Sequence, residues 1–212
     1  MKMRIESQEV WASLASYVLK NHHVFDVRNL SNIVYSFQQV SQGKPILHNY
    51  DDLFADLELP LVKKLDAGTP GNIGDPQSIA NIVTAYAKSQ NGSVQFFQAL
   101  DKHITGFRYQ FNSNELANIV YSISKCPEAN KDVLENLESN VRAMLPHAKP
   151  KEMTSMLMAY TQAGKMTDSL LQRFEAEFKS KFEELNAEDI SKYYYCFTHL
   201  GFKGEGTFYR YL

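Results

Sequence analysis

The chain has 212 residues, of which 44% are hydrophobic, and its formal net charge is −2. This composition is typical of a folded globular protein and argues against a disordered chain. The chain lacks the strong positive charge that is typical of proteins that bind nucleic acid or an anionic membrane. No apolar run approaches the ~20 residues of a membrane-spanning helix, so we predict no transmembrane segment. The two isolated cysteines, Cys126 and Cys196, favour a reduced setting over a disulfide scaffold.

Five similar segments each predict an amphipathic helix. They begin at Leu30, Ile79, Leu116, Met153 and Ile190. Their starts are therefore 49, 37, 37 and 37 residues apart. If the first residue of each segment is numbered 0, apolar residues stand at positions 0, 3, 4 and 7, which form one face of a helix. Self-similarity at a fixed interval is the signature of a repeat protein.

Capping residues mark the expected ends of these five helices. Good N-caps stand four positions before four of the segments, at Asp26, Asp75, Asn112 and Asn186. The fourth segment has the poor cap Lys149 at this position. The glycines expected to end four of the helices in a left-handed conformation are Gly43, Gly92, Gly164 and Gly201.

A second amphipathic helix is predicted before the first segment and after each of the first four segments, and an incomplete one near Phe208 follows the fifth segment. Its apolar residues are Trp11/Leu14/Val18, Phe54/Leu57/Leu61, Phe97/Leu100/Ile104, Leu134/Leu137/Val141 and Leu171/Phe174/Phe178. One helix pair cannot bury its apolar face alone, whereas stacked pairs can. We therefore predict an all-α fold, a right-handed α-solenoid of helix-turn-helix repeats with a 37-residue period. A single helical-repeat domain would span residues 1–212, with insertions at about 43–50 and 66–74 and an incomplete last repeat at 205–212.

Positions 2, 5 and 9 of each segment point away from the predicted core, because successive residues of a helix turn by about 100°. The candidate RNA-binding residues at these positions are Asn32, Tyr35, Gln39, Asn81, Thr84, Lys88, Asn118, Tyr121, Lys125, Ser155, Gln162, Lys192, Tyr195 and His199, with Met158 completing the set. Amide groups can form hydrogen bonds with base edges, aromatic rings can stack on bases, and lysine can bind phosphate. The alternative is a solvated or protein-facing surface, which the scarcity of basic residues favours.

Large apolar residues cluster near the end of the chain. The candidate protein-interface residues are Tyr193, Tyr194, Phe197, Phe208, Tyr211 and Leu212. We expect this cluster to dock a partner protein, unless the short last helix folds back over it or the natural chain continues. The sequence shows no catalytic constellation, no metal-ligand spacing and no phosphate-binding motif after a strand. We therefore expect no enzymatic activity, no cofactor, no metal and no small-molecule substrate.

Segments 79–86 and 116–123, which contain Ile-Ala-Asn-Ile-Val and Leu-Ala-Asn-Ile-Val, resemble the core of octotricopeptide and heptatricopeptide repeats. The resemblance covers about residues 8–212 and extends to the helical repeats of FAST-kinase-like and RAP-domain proteins. It implies a mitochondrial protein on the matrix side, with a plastid as the other possibility. It also implies a scaffold or RNA-contacting subunit of the mitochondrial ribosome or RNA-processing machinery, whose partners are protein subunits of a large organellar assembly and single-stranded or ribosomal RNA. The alternative is an accessory subunit of a respiratory complex or ATP synthase.

Overall fold

A computed structural model of the chain describes residues 7–41, 50–68, 75–107 and 110–201. Within these ranges the chain forms α-helices, three short 3-10 turns and connecting turns, and no strand. The helices are α1 (Gln8–Asn21), α2 (Val27–Ser41), α3 (Asp51–Asp66), α4 (Pro76–Ser89), α5 (Val94–Phe107), α6 (Ser113–Lys125), α7 (Val133–Met144), α8 (Pro150–Ala163), α9 (Asp168–Ser180) and α10 (Ala187–His199). The all-α prediction is confirmed. None of the described helices is both long and apolar enough to cross a lipid bilayer.

The starts of the five similar helices lie where the capping residues predict. Asp75 accepts a 2.7 Å hydrogen bond from the backbone N–H of Ser78 at the start of α4. Asn112 and Glu115 form a reciprocal capping box at the start of α6. Lys149 has no acceptor in its side chain, and at the start of α8 the Glu152 carboxylate instead accepts the backbone N–H of Lys149 at 2.9 Å. Local capping chemistry therefore sets these boundaries.

The ends of the helices agree with the glycine prediction in part. Gly164 and Gly201 adopt left-handed conformations with φ of +66° and +64°. Gly92 was expected to do the same, and that prediction is wrong: Gln90 ends α4 with φ +59°. A Cβ atom at Gly92 would lie 2.4 Å from the ring of Phe97. Gly92 is thus needed for close packing rather than for its backbone conformation, and Gly43 lies outside the described residues.

The chain forms two compact units, Met1–Ile104 and Thr105–Leu212. In the first unit α2 packs against α3 and α4, and α1 packs against α3. In the second unit α6 packs against α8, and α8 packs against α10. The intervening helices α7 and α9 form a second layer of this unit, in which α7 contacts both α6 and α9. The single repeat domain over residues 1–212 stays a prediction, and its insertions and incomplete last repeat lie mostly outside the described residues.

The predicted apolar faces form the core of each unit. The residues at positions 3 and 4 of the three central segments are fully buried: Ile82, Val83, Ile119, Val120, Met156 and Leu157. Leu14 is an exception, because its side chain is 41% exposed and Val18 is the buried residue of α1. Tyr86 and Tyr160, both at position 7, are fully buried as well. Each donates its hydroxyl to a backbone carbonyl of the preceding helix, that of Phe54 at 2.9 Å and that of Leu134 at 2.7 Å.

Candidate nucleic-acid interface

The clearest candidate surface lies in the second unit, where α6, α8 and α10 pack side by side. Their apolar positions face the core, so positions 2, 5 and 9 face outward. Five of these nine residues are exposed: Asn118, Lys125, Gln162, Tyr195 and His199. The other four are half-buried: Tyr121, Ser155, Met158 and Lys192. We call these nine residues the outer face; each of them reaches solvent, as the sequence predicts.

A stacked ring pair stands on α10 at one side of the outer face. The rings of Tyr195 and His199 lie nearly parallel, at an interplanar angle of 16° and a centroid distance of 5.8 Å. They are one helical turn apart, and Tyr195 is 52% exposed. Two parallel rings form a flat, polarisable surface on which a nucleobase can stack regardless of its identity. The imidazole adds a hydrogen-bonding group at the edge of that surface.

A cation–π pair occupies the equivalent positions of α6. The Nζ atom of Lys125 lies 5.7 Å from the centroid of the Tyr121 ring. The ring holds the ammonium group near the helix surface, while the exposed lysine keeps access to solvent. An aromatic ring and a cation one turn apart can contact a base and a phosphate of the same strand.

The middle helix, α8, carries a different set of groups. Met158 has no ring to stack, and its sulfur atom lies 3.2 Å from Sγ of the buried Cys196 on α10. The hydroxyl of Ser155 donates to the backbone carbonyl of Lys151 at 2.8 Å and is thereby occupied. Gln162 is exposed and leaves an amide between the two aromatic pairs. The outer face is therefore aromatic at its two sides and amide-bearing between them.

The residues at position 2 are partly occupied by neighbours that the sequence analysis missed. Asn118 donates a 3.1 Å hydrogen bond to Asn114, and Lys192 forms an ion pair with Glu188. The hydrogen bond from Lys192 holds the pKa of Glu188 below its ordinary value. Both neighbours stand one turn earlier on the same helix, so the four-residue spacing of polar pairs could have found them. These contacts leave position 2 less available to a ligand than positions 5 and 9.

The predicted residues of the first unit are less available. Thr84 is only 3% exposed, so the prediction that it faces solvent is wrong. The reason is that α4 buries nine of its fourteen residues, including those opposite its predicted core face. Asn81 donates a 3.4 Å hydrogen bond to Asn32, so the two amides contact each other. Tyr35 is half-buried, whereas Gln39 and Lys88 are exposed.

The predicted protein-interface cluster is divided by the fold. Tyr193 and Phe197 are buried, at 0% and 1% exposure, so the prediction that they offer an interface is wrong. The Tyr193 ring packs against Phe178 of α9 at a centroid distance of 4.8 Å, which places it in the core of its unit. Tyr194 is 48% exposed and remains available. The other members of the cluster lie outside the described residues: Phe208, Tyr211 and Leu212.

The ionisable groups of the described ranges form no metal site: no three histidine, cysteine or carboxylate side chains gather there as ligands. Cys126 and Cys196 are both buried, and burial raises the pKa of each thiol. A raised pKa keeps a thiol protonated at neutral pH, which is the opposite of what a nucleophile needs. The outer face itself offers aromatic rings, amides and a few cations.

Comparisons with known proteins identify a family. A sequence comparison with curated proteins finds no match. The family model of RNA-editing substrate-binding complex 6 protein (RESC6) matches residues 2–208. The resemblance to octotricopeptide and heptatricopeptide repeats stays a prediction, and the family name agrees with the RNA-processing part of the expectation. Because the match spans nearly the whole sequence, the chain belongs to the RNA-editing substrate-binding complex 6 protein family.

Proposed function

We propose that this chain is a non-catalytic subunit of a mitochondrial RNA-editing complex and that the outer face of α6, α8 and α10 contacts single-stranded RNA. The family name refers to an RNA-editing substrate-binding complex, which supports a subunit that works among other proteins and near RNA. This match favours RNA editing over the ribosome and over a respiratory complex or ATP synthase. The mitochondrial location rests on the resemblance to organellar repeats and on this family context.

The observation that carries the proposal is the pair of ring-based sites on α6 and α10. Tyr195 stacks with His199, and Tyr121 stands under Lys125. Single-stranded RNA exposes the faces of its bases, whereas a duplex hides them, so rings on a protein surface select for unpaired nucleotides. Gln162 between these sites offers an amide to a base edge.

We propose further that the helix pairs stack as a right-handed solenoid. Two observations support it within the individual units. The consecutive packing of α6, α8 and α10 is the arrangement of first helices in a stack. Tyr86 and Tyr160 occupy the same position in their segments and make the same bond to the preceding helix, which is expected of copies of one unit. A stack of this kind presents an extended surface and needs no catalytic group.

A binding experiment tests the RNA proposal. A fluorescent single-stranded RNA is titrated with the wild-type protein and with Tyr121→Ala, Tyr195→Ala and the double variant. Removal of one stacking ring costs about 1–3 kcal/mol, so we expect each single variant to weaken binding by about tenfold and the double variant to weaken it further. A duplex of the same sequence should bind more weakly than the single strand.

The matched control is Tyr17→Ala. Tyr17 is 58% exposed and lies on α1, outside the outer face. Its loss removes the same aromatic group and should leave RNA affinity unchanged. If Tyr17→Ala and Tyr195→Ala weaken binding equally, the outer face has no special role, and if wild-type protein fails to bind RNA at low salt, the proposal fails.

A further inference from the structure

One side of α1 carries large apolar side chains that the first unit leaves open to solvent. Val10 and Leu14 are each 41% exposed, and Tyr17 is 58% exposed. They are four and three residues apart, so they lie in one line along the helix. This line runs beside the buried Val18, and the half-buried Phe25 contacts the Tyr17 ring at a centroid distance of 6.5 Å. We call Val10, Leu14 and Tyr17 the α1 stripe.

The positions of the α1 stripe are buried in the equivalent helices. We call α1, α3, α5, α7 and α9, which carry the five apolar triplets, the second helices, and α2, α4, α6, α8 and α10 the first helices. Leu14 is the middle residue of its triplet, and the middle residues of the other four are fully buried: Leu57, Leu100, Leu137 and Phe174. The residues that correspond to Val10, one position before each triplet, are buried as well: Leu53, Phe96, Val133 and Leu170. The helix α1 therefore has the apolar face of a second helix without its cover.

A preceding first helix packs against several of the second helices. The helix α3 packs against α2, and α7 packs against α6. In α5 the ring of Phe96 lies against the ring of Tyr86 on α4, at a centroid distance of 4.2 Å. Within the described residues, no first helix precedes α1. The α1 stripe therefore lies where a preceding first helix would pack.

The first helices of this chain have no free face of this kind to offer. A first helix meets the second helices through its residue at position 7, as Tyr86 does with Phe54 and Phe96. That residue is buried in all five segments: Phe37, Tyr86, Ile123, Tyr160 and Phe197. A second copy of the chain would have to open one of its own helix pairs to cover the α1 stripe. The occupant therefore comes from a different protein.

The charges of α1 favour a protein over RNA as the occupant. The helix carries one acidic and one basic residue, Glu9 and Lys20. A surface without excess positive charge gives the phosphates of RNA little to bind. An exposed group of large apolar side chains instead marks a protein contact, and an amphipathic helix binds through such residues at this spacing. The family name refers to a complex, which supplies protein neighbours.

We propose that the α1 stripe binds an amphipathic helix of another protein subunit, which packs against α1 as a preceding first helix would. This helix carries apolar residues at positions 0, 3, 4 and 7, the pattern that the first helices of the chain themselves present. The α1 stripe belongs to the first unit, whereas the outer face belongs to the second. The proposal is therefore independent of RNA binding by the outer face.

Photo-crosslinking in the native complex tests the identity of the occupant. The photoreactive amino acid p-benzoylphenylalanine replaces Tyr17 in tagged protein, the purified complex is irradiated, and the linked peptides are identified by mass spectrometry. We expect links to a segment of another subunit whose apolar residues have the spacing given above. Leu59 of α3 is 59% exposed and lies outside the α1 stripe, so the same replacement there should give no link to that segment. Links from the Tyr17 position to this chain, to a second copy or to RNA overturn the proposal, as does the absence of any link.

A charge in the α1 stripe tests whether this contact holds the partner. Leu14→Glu would bury a carboxylate against the docked helix, so we expect recovery of the linked subunit with the tagged protein to fall by about tenfold or more. Leu59→Glu is the matched control and should leave recovery unchanged. Equal recovery of that subunit with both variants overturns the proposal.

The free variants separate docking from folding and from RNA binding. Leu14 and Leu59 are both exposed in the free chain, so the thermal midpoints of both glutamate variants should stay within about 4 °C of the wild type. Their affinity for single-stranded RNA should equal that of the wild type, whatever that affinity is. A much larger fall in the midpoint of Leu14→Glu alone would place Leu14 in the core of the protein and overturn the proposal.

Discussion

The hydroxyl group of Tyr160 on α8 donates a 2.7 Å hydrogen bond to the backbone carbonyl of Leu134 on α7. Burial, with a smaller contribution from the nearby Glu138 carboxylate, raises the pKa of this hydroxyl above its ordinary value. The group therefore stays protonated and remains a donor at neutral pH. It ties the first layer of the second unit to the second layer.

Replacement of Tyr160 by Phe tests the contribution of this bond to stability. The ring remains in place and only the buried donor is lost, so we expect the free energy of unfolding to fall by about 1 kcal/mol. Urea unfolding followed by circular dichroism measures the change. Tyr195→Phe is the control, because the exposed Tyr195 should lose less than about 0.5 kcal/mol. Equal losses for the two variants would contradict the assigned role of Tyr160.

Glycine at position 92 is a second test of packing. A Cβ atom there would lie 2.4 Å from Cε2 of Phe97, which itself is buried. Gly92→Ala should therefore destabilise the protein by about 1–3 kcal/mol through overpacking. Gly106 in α5 has no neighbouring atom within 4 Å of such a Cβ, so Gly106→Ala should be neutral or stabilising by up to about 1 kcal/mol. Thermal unfolding of both variants gives the comparison, and a stable Gly92→Ala protein would show that Phe97 can move aside.

Asp75 gives a prediction about pH. Burial alone would raise the pKa of Asp75, but hydrogen bonds from Ser78 and Arg28 outweigh it and bring the pKa below its ordinary value of 3.8. A lowered folded-state pKa stabilises the protein above the unfolded-state pKa, and this stabilisation is lost as the pH falls through the folded-state pKa. Asp75→Asn keeps a capping side chain and removes the charge. We expect it to cost at most about 1 kcal/mol at pH 7, because the pair with Arg28 is exposed.

The cost of Asp75→Asn should shrink as the pH falls below 3.8 and vanish where wild-type Asp75 is protonated too. Urea unfolding of both proteins between neutral and acid pH measures this difference. A cost that is the same at pH 7 and in acid would mean that the charge of Asp75 does not contribute.

Lys125 gives a prediction about salt. If its ammonium group meets a phosphate, Lys125→Gln should reduce the slope of log affinity against log salt by about 0.7, the value for one phosphate contact of a single strand. Lys20→Gln, which removes the same charge on α1, should leave the slope unchanged. Anisotropy titrations at several salt concentrations measure both slopes. A reduced affinity with an unchanged slope would assign Lys125 a contact with a base instead.

The sequence by itself determined the helices, because the signals for them are local. A capping residue and an apolar spacing of three and four residues both act within one helix. The sequence therefore predicted that helices begin after Asp75 and Asn112, and that Ile119 and Val120 are buried. The same reason explains why four residues of the outer face reach solvent as expected: Tyr121, Lys125, Tyr195 and His199. Helical periodicity alone assigns them to the side of the helix opposite the apolar positions.

Only the tertiary structure decided which of the outward positions remain open, because burial depends on how many neighbours a helix has. Thr84 is covered although its position on the helix predicts exposure, and Tyr193 enters the core by packing against Phe178. The close approach of Phe97 to Gly92 and the hydrogen bond from Tyr160 to the carbonyl of Leu134 depend on how the chain packs, which no local pattern encodes. Periodicity assigns a side chain to one face of its helix, whereas the packing of neighbouring helices decides whether that face is covered.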